Sequence, residues 1–138
     1  MTDAVRDFLA AQPVGVLGTT RADGSIRQTL VYHVLDGDRV LVSTLAPRAK
    51  ARDVRRTGRA SYCVFAHEKP FASLTVEGPA EILTTGIAAP TEKILSRITG
   101  RPPGGPLTDE VLGAMGRVIL ALTVERVYGV SYVPGAAA

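Results

Sequence analysis

Apolar and polar positions change period several times along the chain, and each change predicts an element. Val5, Phe8 and Leu9 recur at i, i+3 and i+4, the spacing of one helical face, so residues 2–11 read as a short helix stopped by Pro13. Beyond it the apolar residues gather into β-branched runs at 14–20, 26–35 and 39–44. Asp23-Gly24 and Asp36-Gly37 stand between these runs. Asp-Gly in that setting signals a hairpin, because the tight turns that suit strand twist need positive φ. The first third is therefore expected to be an antiparallel meander.

Residues 47–58 break the strand rhythm: Pro47 suits a first helical turn, Gly58 suits a C-terminal cap, and Ala49, Ala51 and several arginines lie between. Strand pattern resumes at 60–66 and 71–83, where Gly78-Pro79 predicts an edge, a bulge or a bend. A helix is expected at 90–100 with Ile94, Leu95 and Ile98 on one side, a loop at 101–106, and a short helix at 108–115 capped by Thr108. Residues 118–130 read as a final strand or strand pair. Five to seven strands with a few short helices and no internal repeat predict a mainly β chain, a small antiparallel barrel in one domain spanning 1–138. The chain is short for a barrel that houses a large ligand, and a homodimer would bury its exposed apolar surface.

Composition narrows the class. The chain is 46% hydrophobic and 21% charged, too apolar to remain disordered. Its longest clean apolar run is 118–122, whereas a membrane helix needs roughly 20 such residues. The opening Met-Thr-Asp-Ala-Val-Arg-Asp lacks the apolar stretch of a signal peptide, so a cytoplasmic protein is expected. A single cysteine rules out an internal disulfide, and the setting of Cys63 in Ala-Ser-Tyr-Cys-Val-Phe predicts an inert residue of a buried strand.

Charge is local. Residues 47–59 hold six basic side chains and one acid, a net +5 in a chain of net +3, which leaves the remainder at −2. On a helix turning about 100° per residue, Arg48, Arg52, Arg55, Arg56 and Arg59 share one arc and are expected on a solvated face. Lys50 projects to the other side, about 40° from Val54, which should face the core. A buried unpaired ammonium is costly, so Lys50 either snorkels to solvent or meets an anion. The free N–H groups of the first helical turn, with Ser43 and Thr44 at the end of the preceding strand, would complete a phosphate cradle.

Other chemistries find little support. His33 and His67 are the only histidines, and no cluster has metal-ligand spacing. There is no Gly-x-Ser-x-Gly elbow, no P-loop and no Gly-x-Gly-x-x-Gly after a strand. Nucleic-acid binding is disfavoured, because the basic helix has no interleaved aromatic residues and the chain holds only 4 Tyr, 3 Phe and no Trp.

Val16-Leu17-Gly18-Thr19-Thr20 with Asp23-Gly24, then Ser43-Thr44, Pro47-Arg48-Ala49-Lys50-Ala51-Arg52-Asp53-Val54-Arg55-Arg56 and Arg59-Ala60-Ser61 resemble the flavin/deazaflavin oxidoreductases of the split β-barrel superfamily, which includes pyridoxamine-phosphate oxidase. The Pro-Arg-x-Lys stretch, Val76-Glu77-Gly78-Pro79-Ala80-Glu81 and Arg126-Val127-Tyr128-Gly129 are most similar to the branch that uses the deazaflavin coenzyme F-420. The likeness covers about residues 14–132. It implies an FMN-binding-type split barrel, a homodimer with a cofactor in each groove between subunits, and hydride transfer between reduced cofactor and an activated unsaturated small molecule. Carried over, Ser43, Thr44, Arg48, Ala49 and Lys50 would hold the phosphate; Gln28, Thr29, Leu30 and Val31 would flank the ring through main-chain groups; Phe71 and Tyr128 of the partner chain would close the pocket. Tyr32 and His33 are candidate proton donors. FMN in place of the deazaflavin, and a cofactor carrier without turnover, remain the alternatives. In either case the cofactor carries the hard chemistry and the protein orients it.

Overall fold

The computed structural model describes residues 1–68, 72–102 and 104–130. The chain runs α1 (Asp3–Ala11), β1 (Val14–Thr20), β2 (Ile26–Tyr32), β3 (Val34–Asp36), β4 (Arg39–Leu45), α2 (Ala49–Thr57), β5 (Arg59–Phe65), β6 (Ser73–Leu83), α3 (Ala88–Thr99), α4 (Asp109–Ala114), β7 (Arg117–Thr123) and β8 (Arg126–Val130). The strands are antiparallel in the order β2-β1-β5-β6-β7-β4-β3, with β8 also paired to β6. The two ends of that path, β2 and β3, are separated in sequence by His33 alone. The sheet therefore curls round until its ends meet, a half-barrel left open along the outer edge of β2.

Eight strands replace the expected five to seven because two runs divide. Residues 26–35 break at His33, where the chain leaves β2 for β3, and residues 118–130 form the pair β7 and β8. Gly78-Pro79 proves to be a bend: β6 pairs β8 as far as Glu77 and β5 as far as Pro79, and pairs β7 from Ala80 onward. A Cβ at Gly78 would collide with the Thr123 carbonyl oxygen, so only glycine lets the β7–β8 connection pass this close.

Two apolar clusters explain the strand patterns. The barrel interior holds Leu17, Val31, Val42, Tyr62, Leu74 and Leu120, closed by Val5 and Leu9 of α1 and Val54 of α2. A smaller cluster on the outside of β4 and β7 joins Leu41, Ile119 and Ala121 to Ile87 and Ile94 beside and on α3 and to Leu112 of α4. These two strands are thus buried on both faces, which is why 118–122 reads as an unbroken apolar run. The helix expected at 90–100 starts earlier, at Ala88, and turns Ile94 rather than Ile98 to the core: Ile98 is exposed. Thr108 caps α4 as expected, its Oγ1 accepting from Val111 N at 3.1 Å. No helix of the described residues is long and apolar enough to cross a membrane.

Candidate functional site at the first turn of α2

β4 ends at Leu45, Ala46 N donates to Gly116 O at 2.8 Å and Arg48 N to Leu45 O at 3.0 Å, and the helix begins at Ala49. Pro47 lies ahead of the helix rather than in its first turn, because Arg48 keeps an extended backbone and occupies the N-cap position. No side chain caps this terminus. Its first-turn N–H groups are left to solvent or to an anion. At the other end Gly58 adopts a left-handed conformation (φ 68°) and returns its N–H to Val54 O at 2.8 Å, the expected glycine cap.

Lys50 is half-buried in the first turn and has no hydrogen-bond or ion-pair partner among the described residues. Burial, with Arg48 nearby, pushes its ammonium below the ordinary lysine value. The arginine arc divides differently from expectation. Arg55 donates to Ala46 O at 2.7 Å, Arg56 to Asp53 Oδ1 at 3.2 Å and to Thr20 O, and Arg59, already in β5, pairs with Glu125 at 3.2 Å. Arg48 and Arg52 alone of the five stay exposed without such a partner among the described residues. Three arginines of the face are therefore structural and two are free.

Asp53, whose sequence signal is a single acid in a basic run, is 3% exposed and accepts from Thr19 Oγ1 at 2.8 Å and Arg27 Nε at 2.8 Å, besides Arg56. Burial alone would raise its carboxyl, but the bonds from Arg27, Thr19 and Arg56 outweigh it and hold the group below the ordinary value. The carboxylate thus clamps α2 onto the β1–β2 hairpin.

The other candidates fall on three surfaces, because strand alternation separates neighbours. Thr29 and Val31 on β2 and Thr44 on β4 share the barrel-interior face, the side on which Arg27 reaches α2. Ser43 turns to the opposite side of β4, where Arg117 Nη1 lies 3.5 Å from its Oγ. Arg117 was invisible in sequence because only the Leu45↔Arg117 pairing brings it here. Gln28 and Leu30 face outward, and Gln28 and Tyr128 line one concavity of about 700 Å³ on the outer face of β1, β2, β5, β6 and β8. Ala49 opens α2 between Arg48 and Lys50. As an edge strand, β2 has half its main-chain groups unpaired by β1. Phe71 lies outside the described residues.

In the concavity Tyr128 Oη donates to Glu77 Oε2 at 3.4 Å and Arg126 Nη1 to Glu77 Oε1 at 3.2 Å. Cys63 is half-buried and lines it too, so it belongs to the outer face rather than to the core. His33 is fully buried, with Nε2 2.8 Å from Leu9 O and Nδ1 2.6 Å from Tyr62 Oη. A neutral ring that donates from Nε2 to the carbonyl and accepts the tyrosine proton at Nδ1 satisfies both nitrogens. His33 therefore reaches no substrate and is not a proton donor. Tyr32 packs beside the smaller cluster.

The curled antiparallel half-barrel with short helices is the split-barrel architecture. The chain belongs to the pyridoxamine 5'-phosphate oxidase family, whose model matches residues 1–131. That places it among flavin-binding oxidoreductases whose members often form dimers. Similar solved structures include a conserved hypothetical protein from Mycobacterium tuberculosis (26% identity over 94% of this chain and 84% of that one, TM-score 0.75). An F420 reductase (24% identity, 88% and 94% covered, TM-score 0.71) and an FAD-binding protein from Mesorhizobium loti (21% identity, 94% of both chains, TM-score 0.70) share the fold.

Proposed function

We propose that the chain is a coenzyme F-420-dependent oxidoreductase that passes hydride between the reduced deazaflavin and an activated unsaturated small molecule, working as a homodimer. The observation that carries this is Lys50: a half-buried ammonium without a partner among the described residues, in the first turn of a helix that no side chain caps. That donor set fits a phosphate. Lys50, with Arg48 and the amides of Ala49 and its neighbours, would hold it; of the two β4 candidates Thr44 shares the barrel-interior face, whereas Ser43 lies on the other side of the strand beside Arg117. Along β2, over Gln28, Thr29, Leu30 and Val31, the alternate main-chain groups that β1 leaves unpaired would hold the polar edge of the ring. When bound, the cofactor supplies the two-electron chemistry; the chain orients the ring and keeps water out.

Arg48 and Arg52, exposed and unengaged among the described residues, favour the deazaflavin with its anionic tail over FMN. FMN is the second reading, favoured by the family match. The homodimer is supported by the apolar residues exposed on the outer sheet face, Ile26 at 63% and Leu30 at 69% with Phe65 and Tyr128. Parallel fluorescence titrations with F-420 and FMN test the cofactor: tighter binding of F-420 is expected, and preference for FMN moves the protein to the flavin branch. Steady-state oxidation of reduced F-420 with a panel of activated alkenes then separates an enzyme from a carrier, since tight binding with zero turnover means a carrier. Saturable binding by a species that sediments as a monomer would remove the shared groove.

A further inference from the structure

Lys50 can serve a cofactor held along β2 only if α2 and β2 keep a fixed spacing. One side-chain bond among the described residues joins those two elements directly, the Arg27–Asp53 ion pair at 2.8 Å. Thr19 of β1 shares the same carboxylate oxygen at 2.8 Å, and Arg56 takes the other. Asp53 lies three residues after Lys50, on the same helix, and Arg27 lies two residues before Thr29, on the same face of its strand. The carboxylate also occupies Arg27 and Arg56, so neither cation competes with Lys50 for an incoming anion.

We propose that Asp53 is a positioning residue: by pairing with Arg27 of β2 and Thr19 of β1 it sets the distance between the first turn of α2 and the edge strand, and so aims Lys50 at the phosphate of a cofactor lying along β2. This deepens the cofactor role proposed for Lys50 and rests on it. Charge alone predicts the opposite behaviour. Asp53→Asn removes a negative charge beside an anion site, which by long-range electrostatics tightens anion binding, whereas loss of positioning weakens it.

The test is a fluorescence titration of the full-length protein with F-420 and with FMN in four forms: wild type, Lys50→Ala, Asp53→Asn and the double variant, each well below its melting temperature. Asp53→Asn is expected to weaken binding about tenfold in the wild-type background and less than about threefold once Lys50 is gone, the non-additivity of two residues acting as one unit. Should Asp53→Asn not fold, Thr19→Val removes one bond to the carboxylate and is expected to give the same pattern with a smaller loss. Tighter or unchanged binding by Asp53→Asn overturns the positioning role, and so does an equal loss with and without Lys50. Wild-type protein that binds neither cofactor, or Lys50→Ala that binds as well as wild type, overturns the cofactor reading itself and the positioning role with it.

Discussion

Asp53 and Lys50 stand three residues apart on one nine-residue helix and have opposite fates. Asp53 is buried and saturated, with donors from a strand on either side of the hairpin and from its own helix. Lys50 is half-buried and has none among the described residues. A buried charge with a full set of partners holds structure together; one that is desolvated without a partner destabilises its own ionised form and is worth keeping only where something else completes it. The same contrast runs through the arginines, where Arg55, Arg56 and Arg59 are engaged and Arg48 and Arg52 are not.

The largest effect that can break this contrast is on stability. Asp53→Ala leaves Arg27, whose side chain is 28% exposed, and Arg56, 40% exposed, without their carboxylate. Removing one partner of a fully buried pair costs about 3–5 kcal/mol, and the partial exposure of both arginines discounts this to about 2–4 kcal/mol. Denaturant unfolding measures it, and a loss below about 1 kcal/mol would make the clamp ornamental. Lys50→Ala is expected to do the reverse: apo stability within about 0.5 kcal/mol of wild type, but cofactor affinity lower by about 1.5–3 kcal/mol, the worth of a charge-assisted hydrogen bond. Calorimetric titration beside thermal melting reads both.

A third titratable group sharpens the rule, because His33 is buried and satisfied while neutral. Burial pushes its imidazole below the ordinary value of 6.5; the Leu9 carbonyl opposes this, and the charge of Arg97, which donates to His33 O at 2.7 Å, adds to it. The unfolded chain then takes up a proton near 6.5 that the folded state refuses. Stability from this site is complete above that value and declines as pH falls below it, with a slope of at most about 1.4 kcal/mol per pH unit for one proton. Asp53 and Asp109, both held below the ordinary 3.8, give their full contribution above that value and lose it only in more acid solution, outside this range. Stability measured between pH 7 and 5 should therefore fall in wild type and stay flatter in His33→Gln; parallel curves would assign the acid sensitivity elsewhere.

What was legible in sequence was local. Asp36-Gly37 sits at the tight β3–β4 turn, Thr108 caps α4, Gly58 ends α2, and Val54 faces the core, because each depends on neighbours within a few positions. The inward turn of Lys50 was legible for the same reason. What was not legible depends on distant pairing: Thr19 and Arg27 reach Asp53 across 34 and 26 residues, and Arg117 reaches Ser43 across 74. The break at His33 is hidden too, since its β-branched neighbours continue the strand pattern while its ring is drawn inward by Leu9 and Tyr62. Consecutive candidates on β2 and β4 were grouped by sequence, yet alternation sends them to opposite faces.

The smallest expected effect compares two helix starts. Thr108 caps α4 with its hydroxyl, whereas Arg48, in the same extended conformation before α2, gives no side-chain bond. Serine at that position would satisfy an amide that arginine leaves open, so Arg48→Ser should raise apo stability by about 0.5–1 kcal/mol, the usual worth of an N-cap. The same hydroxyl would compete with an incoming phosphate for that amide, and a free cation would be lost, so cofactor binding should weaken by about three- to tenfold. Opposite signs in melting and in titration mean that the uncapped terminus is kept open for a ligand at the expense of stability. A variant that melts higher and binds equally well would show that the missing cap serves nothing, and the open amides of α2 would then be no part of the site.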